Sequence, residues 1–258
     1  MTVFIEQAIA TFGQAACAAF LVFLRVGAAV SLLPGFGEAT IPTRVKLALA
    51  LALTAVVAPA VAATVVPLAA SPADLIPCLA TETLSGLSIG IAVRLMSVAL
   101  EVAGTIAAQF TSLSHLVGTR GEPMPAFSHL LILAGIALAM TAGFHTRITA
   151  VFILSYEAWP PGLFPGAELV KGWGVAHIAR AFALAFGIAA PFVLAATIYN
   201  VALGAINRAM PQLMVAFVGA PALAVGALVL LSLAAPAGLA LWMDGIDRLL
   251  DDLFGASA

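Results

Sequence analysis

Six apolar stretches fill most of this sequence: Ala8 to Leu33, Val45 to Val66, Leu75 to Val117, Ala126 to Tyr156, Val175 to Ala205 and Leu213 to Met243. Each reaches the roughly 20 helical residues that cross a bilayer core. Unpaired backbone amides are prohibitively costly in hydrocarbon, so such stretches close their hydrogen bonds internally, as helices. Their richness in Ala and Leu agrees with that. The expected fold class is all-α, a polytopic integral membrane protein of helical hairpins forming a single helical membrane domain over residues 1–258. Composition excludes the soluble alternative: 63% of residues are hydrophobic and 9% charged, against about a quarter charged in an ordinary soluble domain.

The net charge is -2 with no block of like charges, so neither a nucleic-acid surface nor a polybasic membrane patch is supported. Cys17 and Cys78 stand alone in apolar stretches, without metal spacing or a disulfide framework, and read as small buried apolar residues. Met1 to Gln7 carries Glu6 and no basic residue, and the apolar stretch that follows is too long for a signal-peptide core. It is expected to be retained as the first membrane segment.

The breaks between stretches are short. Pro34 and Pro42 bracket one turn, Pro67 to Pro77 mark another, Gly118 to Pro125 a third, and Trp159 to Trp173 the longest. Leu75 to Val117 is about twice the spanning length, which predicts a bent helix or a helical hairpin. It also contains Glu82, Arg94 and Glu101, while Arg25 and Arg180 lie within other apolar runs. Such charges cost several kcal/mol unless they pair, snorkel or line a polar cavity. They read as functional or assembly contacts, with snorkelling or an intramolecular pair as the alternative. Gly86 and Gly90 form a G-x-x-x-G step suited to close helix packing, though the motif is weak in a chain with 22 glycines. The Lys and Arg distribution does not give an orientation. Asp244, Asp247, Arg248, Asp251 and Asp252 stand among Ile246, Leu249, Leu250 and Leu253 at helical spacing, which suggests a short acidic amphipathic end or a solvated helix terminus.

No catalytic constellation is visible. His115, His129, His145 and His177 are scattered, with no H-E-x-x-H helix, and read as interfacial or partner-facing rather than as metal ligands. No catalytic, metal or cofactor-binding residue is assigned, no cofactor is expected, and the chain does not read as an enzyme. A small-solute or ion transporter would carry ionisable residues near midplane and a broken helix. Arg25, Glu101, Arg180 and Pro191 could serve, but no internal duplication is visible. From physics alone a transporter remains the alternative.

The segment Asn200-Val-Ala-Leu-Gly204-Ala-Ile-Asn-Arg208-Ala-Met-Pro211-Gln212, continuing to Gly219 and Pro221, resembles the signature near the last hairpin of the FliR family. The injectisome counterpart of that family is SctT. As a local structure, Pro211 would stop one helix, and Arg208 and Gln212 would place polar donors at the turn. Arg208 there would bind helix-end carbonyls or a partner's carboxylate, or snorkel to the interface. Leu33-Pro34-Gly35-Phe36-Gly37 followed by Ile41-Pro42-Thr43-Arg44 is similar to the first interhelical turn of the family, and Glu82, Gly86, Gly90, Arg94 and Gly104, then Gly143 with His145 and Ser155 to Gly162, continue the resemblance in order. The sequence departs from the pattern at Met214, at Ala216 and at Val117-Gly118.

The resemblance implies a structural and gating subunit of the type III protein-export gate, in the flagellar basal body and the bacterial inner (cytoplasmic) membrane. Its helical hairpins would pack into a helical hetero-oligomer with P-type and Q-type membrane subunits and the autoprotease-type B-subunit. Unfolded export substrates would pass through it, and partner proteins would cover the charges in the apolar runs. Asn200, Gly204, Arg208, Pro211, Gln212, Gly219, Pro221, Pro42, Arg44 and Glu101 are the expected family-motif and assembly residues. By order along the chain, the loop that plugs the closed pore of the family falls around Gln109 to Met124, on Phe110, Leu113, His115, Leu116, Val117 and Gly118. An apolar loop with glycine hinges can close a pore by dewetting; the alternative is an ordinary interhelical turn.

Overall fold

The computed structural model describes residues 2–69, 72–110, 126–163, 166–210 and 215–255. The chain forms α1 (Thr2–Val30), α2 (Thr43–Ala69), α3 (Pro72–Phe110), α4 (Ala126–Thr141), α5 (Phe144–Ala158), α6 (Ala167–Ala209) and α7 (Val215–Gly255), with no strand among the described residues. Five helices are long and apolar enough to cross a membrane, and six spans result if α4 and α5 count as one broken span. The all-α polytopic reading therefore holds. At 1.5 Å per residue, the 39, 43 and 41 residues of α3, α6 and α7 are each about twice the roughly 30 Å of a bilayer core.

Several boundaries differ from those read off hydropathy. Leu75 to Val117 is no hairpin: α3 is continuous to Phe110. The run Ala126 to Tyr156 divides, because Gly143 takes φ +84° and its backbone N–H bonds back to the Met140 carbonyl, ending α4 and starting α5. A left-handed residue costs glycine little and stops the helical ladder. The turn after α5 is shorter than expected, and α6 begins at Ala167, so Trp173 lies inside a helix. Pro191 sits within α6 without ending it. The acidic end is the last part of α7; Leu249, Leu250 and Leu253 are buried, and Asp247 and Asp251 both bind Arg147. Cys78 is buried as expected, but Cys17 is exposed.

The helices group into two compact units, Met1–Arg94 with Met140–Ala176 and Asp247–Ala258, and Leu95–Ala139 with His177–Ile246. In the first, α1 pairs with α2, and α2 also packs on α5. The buried face of α2 repeats at helical spacing through Ala50, Thr54, Val57, Val61 and Val65. Gly37 and Gly35 shape the α1–α2 turn, where the Lys46 ammonium donates to the Gly37 carbonyl at 2.9 Å and the Phe36 and Phe144 rings stack. The Arg94 guanidinium fastens α3 to this turn through Glu38 at 2.7 Å.

Phe127 and Phe192 meet edge-on in the second unit, packed with Ala107, Ala108 and Ala227. Trp242 is fully buried; its indole N–H donates to the Met96 carbonyl at 2.7 Å, and Gly135 leaves the space its ring needs. Gly104 of α3 lies so close to α4 that a Cβ there would stand 2.4 Å from Ser128 Cα.

Candidate functional site

The most concentrated polar chemistry in the described residues lies inside the first unit, among helices that are otherwise apolar. Arg25 occupies the same face of α1 as the buried Leu21, Val22 and Ala29, so the helix that buries that stripe buries the guanidinium with it. Both Arg25 and Glu82 are fully inaccessible. The Arg25 Nε donates to Glu82 Oε2 at 2.9 Å and its Nη2 to Oε1 at 2.7 Å, the planar bidentate geometry that only arginine offers a carboxylate. Nη1 donates to Ser155 Oγ at 2.8 Å, and Nη2 also donates to the Trp159 carbonyl at 2.9 Å.

The carboxylate is satisfied from a second side by the Tyr156 hydroxyl, which donates to Oε2 at 2.7 Å, and the Tyr156 ring lies 3.7 Å beneath the guanidinium carbon. A cation over an aromatic face gains most where water is excluded. A buried ion pair is tolerable only when its remaining donors and acceptors are filled, and here four of the five guanidinium N–H groups have acceptors. The network ties α1, α3 and α5 together. Thr81 extends it: its Oγ1 accepts the Gly162 N–H at 2.9 Å, fixing the turn after α5 to α3.

Partner proteins were expected to cover the charges in the apolar runs. For Arg25 and Glu82 that is corrected: the chain pairs them with each other. Sequence flagged both charges, and it placed Ser155 and Tyr156 only within the stretch Ser155 to Gly162 that resembles the family, without showing that they complete the shell. The usable signal was two opposite charges in apolar runs, each of which needs a partner.

A second polar cluster lies at the α3–α4 seam of the second unit. Ser128 Oγ donates to the Glu101 carbonyl at 2.9 Å and meets Thr105 Oγ1 at 3.1 Å. The Glu101 side chain itself is half-buried, and among the described residues no donor or cation reaches its carboxylate. His129 and His145 are exposed, whereas His177 is buried, against the interfacial reading. Among the described residues no three His, Cys, Asp or Glu side chains could share a metal ion.

The expected motif residues fall at separate places. Asn200, Gly204 and Arg208 occupy the exposed end of α6, and a Cβ on Gly204 would meet nothing within 4 Å. Pro42 and Arg44 are exposed at the start of α2. Gly219 and Pro221 belong to α7, while Pro211 and Gln212 lie outside the described residues. Of the expected plug, Phe110 ends α3, and Leu113, His115, Leu116, Val117 and Gly118 lie outside the described residues.

Comparison with known proteins adds the family. The profile of "Bacterial export proteins, family 1" matches residues 16–249. The chain is 33% identical over 248 residues to the flagellar biosynthetic protein FliR of Caulobacter vibrioides, an alignment covering 95% of this chain and 98% of that protein. The FliR proteins of Aquifex aeolicus and Escherichia coli are 30% identical over 214 residues and 27% over 211, covering 82% and 78% of this chain. With nine-tenths of its length matched by the family profile, the chain belongs to the FliR family of bacterial export proteins.

Proposed function

We propose that this chain is a structural and gating subunit of a flagellar type III protein-export channel in the bacterial inner membrane. It assembles there with P-type and Q-type membrane subunits and the autoprotease-type B-subunit, and unfolded export substrates pass through the assembly. The observation that carries this reading is the place of the most specific part of the family resemblance. Asn200, Gly204 and Arg208 bear its most specific motif, yet they lie on an exposed helix end and take no part in the core of the chain. Residues kept out of the core and out of any catalytic arrangement suit contacts with other subunits.

The test is native mass spectrometry of the tagged chain, coexpressed with its neighbouring membrane genes and extracted in mild detergent. A discrete complex holding one copy with two small membrane proteins supports the assembly; a monomer or homodimer without such partners removes it. Gly204→Leu sharpens the test. The open space around Gly204 should leave the isolated chain within about 0.5 kcal/mol of the parent. An intersubunit contact there should lower the yield of complex by about tenfold through overpacking. Equal losses in chain and complex would count against an assembly role.

In this reading the segment from Gln109 to Met124, with Phe110, Leu113, His115, Leu116, Val117 and Gly118, forms the apolar plug of the closed pore. Such a plug closes by dewetting and yields on its glycines when substrate arrives. Replacing residues 109–117 with a Gly/Ser linker should therefore make the assembled gate leaky to small ions in planar bilayers. Unchanged conductance in a complete complex would remove the plug assignment.

A further inference from the structure

Glu101 differs from the other buried or half-buried acidic groups of the spans. Glu82 is held bidentately by Arg25 and Tyr156, whereas the Glu101 carboxylate has neither donor nor cation among the described residues. It belongs to the apolar run Leu75–Gln109. An ionised carboxylate there is costly unless something outside the chain compensates it. A second observation falls on the same face: Ser97, one helical turn earlier, is 95% buried and its hydroxyl has no partner among the described residues. Helical serines commonly donate to the carbonyl four residues back, as the Thr105 hydroxyl does to Glu101; Ser97 does not. A carboxylate and a hydroxyl without partners among the described residues thus stand a turn apart on α3.

The backbone beneath them is rigid. Gly104 brings α4 into contact with α3, and Ser128 bonds to the Glu101 carbonyl and to Thr105. The described residues use their polar groups to fix the Glu101 backbone and leave its charged end unused, an arrangement that presents a fixed anion to a complementary surface.

We infer that the Glu101 carboxylate is the anionic half of an intersubunit ion pair, and that its counterpart is a lysine or arginine on a membrane helix of another subunit. The inference rests on the assembly reading above and adds to it the chemistry of the partner. A basic side chain arriving along α3 satisfies the carboxylate, and a donor left over would find in the Ser97 hydroxyl an acceptor one turn away. Arginine supplies enough donors for both groups.

The test uses the coexpressed complex and the isolated chain side by side. Glu101→Gln removes the charge and keeps the shape; it should leave the yield of isolated chain unchanged and lower the yield of complex by about tenfold. Glu101→Lys should abolish the complex. Each lysine and arginine that the copurifying subunits carry within apolar helices is then changed to Glu in the Glu101→Lys background. Recovery of complex at one such position, and not at the others, identifies the pair. If the parent complex forms and both variants assemble at parental yield, the ion pair is refuted while the assembly reading stands. If the parent forms no complex, the assembly reading itself fails. Loss of complex in both variants with no recovery at any of these basic positions overturns the pair.

Discussion

Replacing Glu82 with alanine should destabilise the isolated chain by about 3–5 kcal/mol, the range found when one member of a buried ion pair is removed and the other stays. The Arg25 guanidinium would keep the Ser155 hydroxyl and the Trp159 carbonyl. It would lose both carboxylate bonds, and the Tyr156 hydroxyl would lose its acceptor. No water-exposed route lets the arginine escape, because its side chain is fully inaccessible. Glu82→Gln should cost less, because an amide oxygen still accepts one of the two bonds; about 1–3 kcal/mol is expected. Unfolding of the purified chain in mixed micelles of rising SDS fraction checks both values.

The companion variant separates need from worth. Arg25→Met with Glu82→Leu and Tyr156→Phe removes the charges and the orphaned hydroxyl together. Apolar replacement of a whole buried pair is often neutral or stabilising, so the triple variant should recover most of the loss seen in Glu82→Ala. A triple variant as unstable as the single one would mean that the network holds α1, α3 and α5 in a geometry that apolar packing does not reproduce. A stable Glu82→Ala would instead show that the pair does not form in the membrane.

The helices were legible because hydrocarbon permits a long apolar segment almost no other structure. Their ends were legible only where proline marked them, as at Pro72 and at Pro42 just before α2. The start of α6 was missed because Glu168, Lys171 and Trp173 lower the hydropathy of a segment that is nonetheless helical. The break between α4 and α5 rests on the left-handed backbone of Gly143, and hydropathy carries no backbone sign. Arg25 and Glu82 lie 57 residues apart; composition makes each charge expensive without saying which partner relieves it. The family was legible mainly from residues 200–221, whose described part lies outside the core; Glu82 and the stretch Ser155 to Gly162 belonged to the resemblance too, but order along the chain does not say which side chains meet. Glu101 was singled out from sequence, and its fixed backbone and unfilled carboxylate became visible only once α4 was placed beside α3.

Gly86→Val should be the most damaging single-residue enlargement among the described glycines, because its obstacle is backbone and stands nearer than the backbone that Gly37 and Gly104 face at 2.4 Å. A Cβ at position 86 would stand 2.1 Å from the Arg25 carbonyl oxygen and 2.8 Å from its carbon. Neither can yield without moving α1. Helix propensity works the other way, since glycine in a helix interior is worse than alanine by about 1 kcal/mol. Overpacking of a close helix contact commonly costs about 1–3 kcal/mol or more, so Gly86→Ala should be a net loss, and valine, with two further methyl groups, a larger one. Gly90→Ala is the milder control: its nearest neighbours, the Ala29 oxygen and Leu32 Cβ, stand at 3.0 Å and need shift by only a few tenths of an ångström.

The loss at Gly86 should also couple to the ion pair. Glu82 precedes Gly86 by one turn on α3, and the obstructing carbonyl is that of Arg25 itself, so displacing α1 stretches the 2.7 and 2.9 Å bonds of the pair directly. The same Gly86→Val change, made in the Arg25→Met, Glu82→Leu, Tyr156→Phe background, has no such bonds to stretch and should cost at least about 1 kcal/mol less, within the range measured for coupled neighbours. Strict additivity across the two backgrounds would show that the glycine contact and the buried pair are independent, and that the seam between α1 and α3 is held by packing alone.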